Sequence, residues 1–303
     1  MQNRSFEYLL LGVLALLWGS SYMWIGLALD TVPPATLMAV RVSLASLILL
    51  LVMALRGIRM PLDRHNWRLF FIQSLLNGTG PWLLLAWGQQ YAGTAVSSVL
   101  NSTSPLWVFA ISFLVLKRGQ LPGGRQLAGA LLGLAGVVLI IGVGGLDNLG
   151  EDILPQLAVF FSAALYGIAA LRGQLFRGLP PIVPATGMLL CSSVVLVPLS
   201  LLTEAPWTLA PGPAGWTAAI ILGVVCTALA FLIYFRLLIT LGAMGTASQA
   251  YLRAGVGVVL GVVFLGESLD AETFAGICLA ISGVVLINWP KGSRTTVPSS
   301  ARK

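Results

Sequence analysis

Apolar runs of about twenty residues, cut by proline, glycine or charge, follow one another along the chain. At a rise of about 1.5 Å per residue, one such run crosses a hydrocarbon core of about 30 Å. The pattern predicts ten membrane helices, at 9–29, 34–55, 67–88, 94–116, 124–143, 153–172, 181–202, 214–236, 243–265 and 271–289. The expected fold class is an all-α membrane protein. The first run is too long for a signal-peptide h-region and lacks a clear Ala-x-Ala site, so it reads as the first helix.

The pattern also repeats at an offset near 150. Pro34-Ala-Thr-Leu-Met38 recurs as Pro184-Ala-Thr-Gly-Met188, and Gly136-Val-Val-Leu-Ile140 recurs as Gly283-Val-Val-Leu-Ile287. Trp67 matches Trp216 and Gly93 matches Gly242. Each copy holds five spans, and an odd number forces the second copy to enter the membrane upside down. The chain therefore divides into two inverted five-helix repeats, 1–147 and 148–290, followed by a disordered cytoplasmic tail, 291–303. Inverted repeats are the architecture of secondary transporters, with the substrate site near the midplane where the copies meet.

Composition agrees. Of 303 residues, 57% are hydrophobic and 9% charged, which leaves no polar shell for a soluble domain. The net charge of +7 lies in short loops, with no basic stripe and interleaved aromatics, so it reports topology and no nucleic-acid partner. With the N-terminus in the cytoplasm, every Lys and Arg except Arg41 and Arg253 falls on that side. The outer side then takes only acids: Asp30, Asp147, Glu151, Asp152, Glu204, Glu267, Asp270 and Glu272. The positive-inside rule thus places both termini in the cytoplasm. The partners implied are the lipid bilayer and a small-molecule substrate.

One cation interrupts the ninth helix near its middle. Arg253 lies about 15 Å deep if the helix enters at Ala243, and a central Arg costs about 2.5–3.5 kcal/mol on insertion scales. It should therefore face a wet or polar interior, with Thr246 and Gln249 on its own helix face. Arg41, nearer the outer end of the second helix, suits a snorkelling role. In the third helix Gln73 precedes Asn77-Gly-Thr79-Gly-Pro81, where Gly and Pro either unwind backbone around a cavity or make a packing kink. The fourth helix carries Ser97, Ser98, Asn101, Ser102, Thr103 and Ser104 before Pro105. Its hydroxyls either satisfy carbonyls freed by the proline or line the solute path. At an offset of 149, Ser97 stands opposite Thr246, Asn101 opposite Ala250 and Ser104 opposite Arg253. Among the aromatics, Tyr22, Trp82, Trp107, Tyr166 and Tyr251 lie deep enough to wall a cavity.

The inventory excludes much. No Asp, Glu or His lies in the middle of any span, so neither a proton relay on an intramembrane acid nor a counter-charge for lipophilic cations is in place. There is no HExxH, Walker loop or carboxylate pair, and His65 stands in a basic loop, so no enzyme chemistry is expected. Cys191, Cys226 and Cys278 lie apart in apolar runs, which supports neither a disulfide framework nor zinc, and no cofactor is implied. Gly129, Gly133, Gly276, Ala280 and Gly283 form close-contact faces for neighbouring helices or for a homodimer through the fifth and tenth helices.

Taken in order, these residues resemble the drug/metabolite transporter superfamily, in its ten-helix EamA-type branch. The resemblance rests on Trp18-Gly19, Pro33-Pro34, Arg41, Ser104-Pro105-Leu106, Gly136-Val-Val-Leu139, Leu265-Gly-Glu267 and Gly283-Val-Val-Leu286, and covers essentially the whole span region. It implies export of small metabolites from the bacterial cytoplasm through the inner membrane. The Arg-bearing, aromatic-rich profile is most similar to amino-acid exporters of the YddG type. On that reading Arg253 meets a carboxylate, and Asn77, Thr79, Asn101, Ser104 and Gln249 supply polar contacts. Tyr22, Trp82, Trp107, Tyr166 and Tyr251 then pack the side chain of an amphipathic or aromatic amino acid. The rival expectation is efflux of other organic solutes or drugs.

Overall fold

A computed structural model describes residues 4–116, 121–142, 153–260 and 271–289, with backbone alone at 93–95 and 257–260. Among these residues the chain is helical, and nine helical stretches are long and apolar enough to cross a membrane. The first repeat comprises α1 (Arg4–Leu29), α2 (Pro34–Leu55), α3 (Arg64–Ser74), a π-turn (Leu75–Thr79), α4 (Gly80–Asn101), α5 (Ser104–Val115) and α6 (Gly124–Ile141). The second comprises α7 (Ile153–Arg172), α8 (Ile182–Thr203), α9 (Pro213–Gly223), a π-turn (Val224–Leu229), α10 (Ala230–Thr240), α11 (Gly242–Ala247), α12 (Gln249–Leu260) and α13 (Ala271–Asn288). The expected ninth span corresponds to α11 and α12, and its last residues lie outside the described ones. The fold is ten membrane helices in two inverted repeats of five.

Helix contacts obey the exchange of each span with the one five further on. α2 lies along α8 and α6 along α13, so the second and seventh spans, and the fifth and tenth, pair with their own counterparts. α1 lies on α9, α10 and α12, while α7 lies on α4 and α5. The first span is thus embedded among the eighth and ninth, and the sixth among the third and fourth. The two repeats are interlocked.

Local chemistry explains the elements. Pro34 starts α2, where a missing N–H is harmless and φ is already set. The free donors of that first turn are met from α8, whose C-terminal neighbour Glu204 accepts from Ala35 N at 3.0 Å, Thr36 N at 2.6 Å and Thr36 Oγ1 at 2.7 Å. Asp63 caps α3 by accepting from Asn66 N at 2.9 Å; hydrogen bonds from the Asn66 side chain and backbone hold its carboxyl below the usual carboxylate range. Gly242, at φ 78°, makes the turn between α10 and α11 that a side chain would strain. At the opposite membrane face from Glu204, Glu7 of α1 is 2% exposed and accepts from Arg236 NH2 at 2.7 Å and Thr240 Oγ1 at 2.9 Å.

The small-residue faces of the fifth and tenth spans meet each other. A Cβ on Gly129 would fall 2.8 Å from Gly283 O, and one on Gly136 would strike the backbone of Ala280 and Gly276. These faces are filled within one chain, so any contact with a second copy through these helices uses their outer sides. Replacing Gly136 by Val should cost about 1–3 kcal/mol through overpacking. The expected result is a lower unfolding temperature of the purified protein in detergent, with Gly12→Val, which meets open space, as the unaffected control.

Candidate functional site

Both π-turns point to one place. They begin 149 positions apart, at Leu75 and Val224, and so occupy matching positions in the third and eighth spans. A π-turn inserts a residue and leaves backbone groups misaligned with the helical ladder, which is why such turns gather at functional sites. In the eighth span the displaced carbonyl of Cys226 accepts from Trp18 Nε1 at 3.1 Å and Arg41 NH2 at 3.5 Å. Thr227 Oγ1 accepts from Arg41 Nε at 2.6 Å and donates to Leu222 O at 2.6 Å. In the third span the turn carries Asn77, with its amide directed at Met188 Sδ. Gly78-Thr79-Gly80-Pro81 therefore widens the helix without unwinding it, and the eighth span does the same with no proline at its turn.

Between these turns lies a chamber where the repeats meet. Its polar lining comprises Ser21, Arg41, Asn77, Ser104, Gln249 and Arg253; its rings are Trp18, Tyr22, Trp82, Tyr166, Phe231 and Tyr234. The cavity is small, about 50 Å³, room for roughly three to five waters.

Arg253 faces this chamber, as its helix pattern predicts. Its NH2 donates to Asn101 Oδ1 at 3.1 Å and its NH1 to the Tyr22 hydroxyl at 3.5 Å, while Nε has no partner among the described residues. Asn101 also accepts from the Tyr22 hydroxyl at 3.3 Å and donates to Ser162 Oγ at 3.1 Å. Its amide stands behind the guanidinium and is spent on holding it. Gln249 Oε1 has no hydrogen-bond partner among the described residues and borders the chamber, so it is an acceptor in waiting.

Of the residues singled out from sequence, Tyr22, Asn77, Trp82, Ser104, Tyr166, Gln249 and Arg253 border the chamber. Three belong elsewhere. Tyr251 is fully buried with its ring on Gly133 of α6, where only a glycine leaves room. Trp107 stacks edge-on against Phe160 at 5.2 Å and lies over Gly167, a contact between α5 and α7. Thr79, at 4% exposed, sits on the far end of the π-turn, off the chamber. The serine-rich break resolves toward the structural alternative: Ser102, Thr103 and Ser104 donate to Ser98 O, Leu100 O and Asn101 O at 2.6–2.7 Å.

Arg41 is the main correction. It does not snorkel: at 3% exposed, it lies with its Cζ 4.0 Å from the centroid of the Trp82 ring. Trp18, Phe231 and Tyr234 join it as residues that sequence reasoning passed over. Their packing, with Trp18 5.5 Å from Phe231 and 5.3 Å from Tyr234, depends on spans 208 or more positions apart, which no local pattern carries.

The profile of the EamA-like transporter family matches residues 5–142 and 153–289, one match to each repeat. The chain belongs to this family and is a multi-pass membrane transporter. Among its relatives, the uncharacterized transporter YoaV of Bacillus subtilis is 23% identical, with 91% of this chain and 95% of that one covered. The uncharacterized inner membrane transporter YedA of Escherichia coli is 25% identical over 92% and 89%. A probable terminal-alkyne amino-acid exporter of Streptantibioticus cattleyicolor is 26% identical over 89% of each chain. A protein of known crystal structure shares the fold, with a TM-score of 0.77 at 19% identity, covering 93% of this chain and 96% of that one.

The bonding around Arg253 separates two neighbours on one helical segment. Asn101→Ala leaves the guanidinium and the Ser162 hydroxyl without their buried partner, a loss of about 1–3 kcal/mol. Ser104→Ala removes only a hydroxyl bonded to its own chain. The expected outcome is a marked fall in thermal stability or solute uptake for Asn101→Ala and near-parental behaviour for Ser104→Ala; equal effects would contradict this assignment.

Proposed function

We propose that the chain exports small carboxylate-bearing metabolites, amino acids above all, across the bacterial inner membrane by alternating access, and catalyses no reaction. The observation that carries this reading is Arg253: a guanidinium on the chamber wall, held from behind by Asn101 and Tyr22, with its Nε unmatched. A bidentate carboxylate fits such a fork. Gln249 Oε1 and Asn77 offer neutral acceptors to an ammonium group, and the rings around them would pack an amphipathic solute's carbon skeleton. The likeness to a relative named as an amino-acid exporter supports the same solute class. Efflux of lipophilic cations is disfavoured, because two guanidiniums and no acid border the chamber among the described residues.

The interlocking of the repeats supports one choice of moving bodies. Because the first span rides with the eighth and ninth, and the sixth with the third and fourth, the rocking units are mixed bundles. Whole repeats do not swing as blocks. The chamber widens toward one face and then the other as these bundles tilt about the paired second and seventh, and fifth and tenth, spans.

Arg253→Gln removes a charged hydrogen-bond partner, an interaction of about 2–5 kcal/mol when buried. In liposomes loaded with radiolabelled amino acids, the variant should lose at least tenfold in counterflow while remaining monodisperse in detergent. Unchanged counterflow, or flux of a cationic dye with none of any amino acid, would reject this function. The loop charges support a topology with both termini in the cytoplasm. A green fluorescent protein fused at the C-terminus should therefore fluoresce and an alkaline phosphatase fusion stay inactive; the reverse pattern would invert the topology.

A further inference from the structure

The chamber contains a second cation that the reading above leaves unused. Arg41 comes from α2 of the first repeat and Arg253 from α12 of the second, yet both border the same cavity. Tyr166 borders the same cavity as both guanidiniums.

Their surroundings are neutral. Arg41 makes one short hydrogen bond, from Nε to Thr227 Oγ1 at 2.6 Å; its NH1 and NH2 reach only Met38 Sδ at 3.9 Å and Cys226 O at 3.5 Å. The ring of Trp82 covers one face of the group and supplies no acceptor for its N–H donors. Of the described carboxylates, Glu7 is engaged with Arg236, Glu204 with the first turn of α2 and Asp63 with Asn66, and neither Asp30 nor Glu272 borders the chamber. One buried guanidinium, Arg41, and one half-buried, Arg253, therefore border the same cavity, with no acid among the described residues to neutralise either. Buried charges in proteins are ordinarily paired, and one left unpaired is strongly unfavourable.

The repeat geometry makes room for such a pair. At the offset of 150 set by Pro34 and Pro184, the counterpart of Arg41 is Cys191; at the offset of 149, the counterpart of Arg253 is Ser104. Each repeat thus gives one guanidinium and leaves a small residue at the other's position.

We propose that Arg41 is a second anion-binding pole, so that the solute carries two anionic groups and a net negative charge. An acidic amino acid or a short dicarboxylate fits, with one carboxylate on Arg253 and the other on the outer edge of Arg41. A neutral amino acid fills only one pole and leaves a bare cation buried. This inference rests on the reading that Arg253 takes a carboxylate, and it narrows the solute that reading admits.

Glutamate and glutamine, which have the same shape and differ by one charge, test it on the unaltered protein. In binding measurements on the purified chain and in counterflow in liposomes, glutamate or succinate should be preferred over glutamine and leucine by roughly tenfold or more. Arg41→Gln should erase that preference, bringing glutamate and succinate down to the level of glutamine and leucine, and Arg41→Lys, which keeps the charge, should retain it in part. Equal handling of glutamate and glutamine by the unaltered protein overturns the proposal even if the variants fail to fold. Neutral amino acids carried in an Arg253-dependent way, with acidic ones excluded, would refute the second pole alone. If no carboxylate moves at all, the export reading falls with it.

Discussion

A guanidinium placed in hydrocarbon must be given water, a dipole or an anion, and this chain sets two of them on one internal chamber. The surrounding structure is shaped by how each is held. Arg253 is gripped through side chains, by the Asn101 amide and the Tyr22 hydroxyl, and Asn101 is in turn tied to Ser162 on α7. Arg41 is gripped by the π-turn of the eighth span, which presents the Thr227 hydroxyl at 2.6 Å and the Cys226 carbonyl at 3.5 Å. In both cases the partners are neutral, and in both cases they belong to elements distant in the chain. The charges therefore bind the two repeats to one another at the level of the chamber.

How much of this can be read from sequence depends on whether the signal is local. Ten apolar runs and a shared offset are local or self-referential, so the helix count, the five-plus-five division and the inversion follow from the residues alone. Arg253 announces itself because its helix is otherwise apolar, and Gln249 follows from helical spacing. The π-turn at Asn77 carries a partial signature in Gly78, Gly80 and Pro81. Its counterpart at Cys226 and Thr227 carries none, since what stabilises it is the guanidinium of Arg41 arriving from another helix.

The misplacements have the same origin. Depth along a helix is readable, but the direction a side chain faces is set by its neighbours. Tyr251 lies as deep as Arg253, yet its ring is drawn onto Gly133 in the cleft opened by the glycines of the fifth and tenth spans. Trp107 is drawn onto Phe160 over Gly167 in the same way. Arg41 sits nearer the outer end of its helix and could have reached the interface; the aromatic face of Trp82 and the acceptors on the eighth span turn it inward.

The embedding of the first span among the eighth and ninth has a consequence for synthesis. When the first five helices have left the ribosome, α1 lacks the surface that will cover it, and α4 and α5 lack α7. The buried Glu7 likewise waits for Arg236 and Thr240, more than two hundred residues later in translation. Half of this protein is thus an incomplete object in the bilayer, and its assembly is settled only when the nascent chain doubles back and threads its second half through its first.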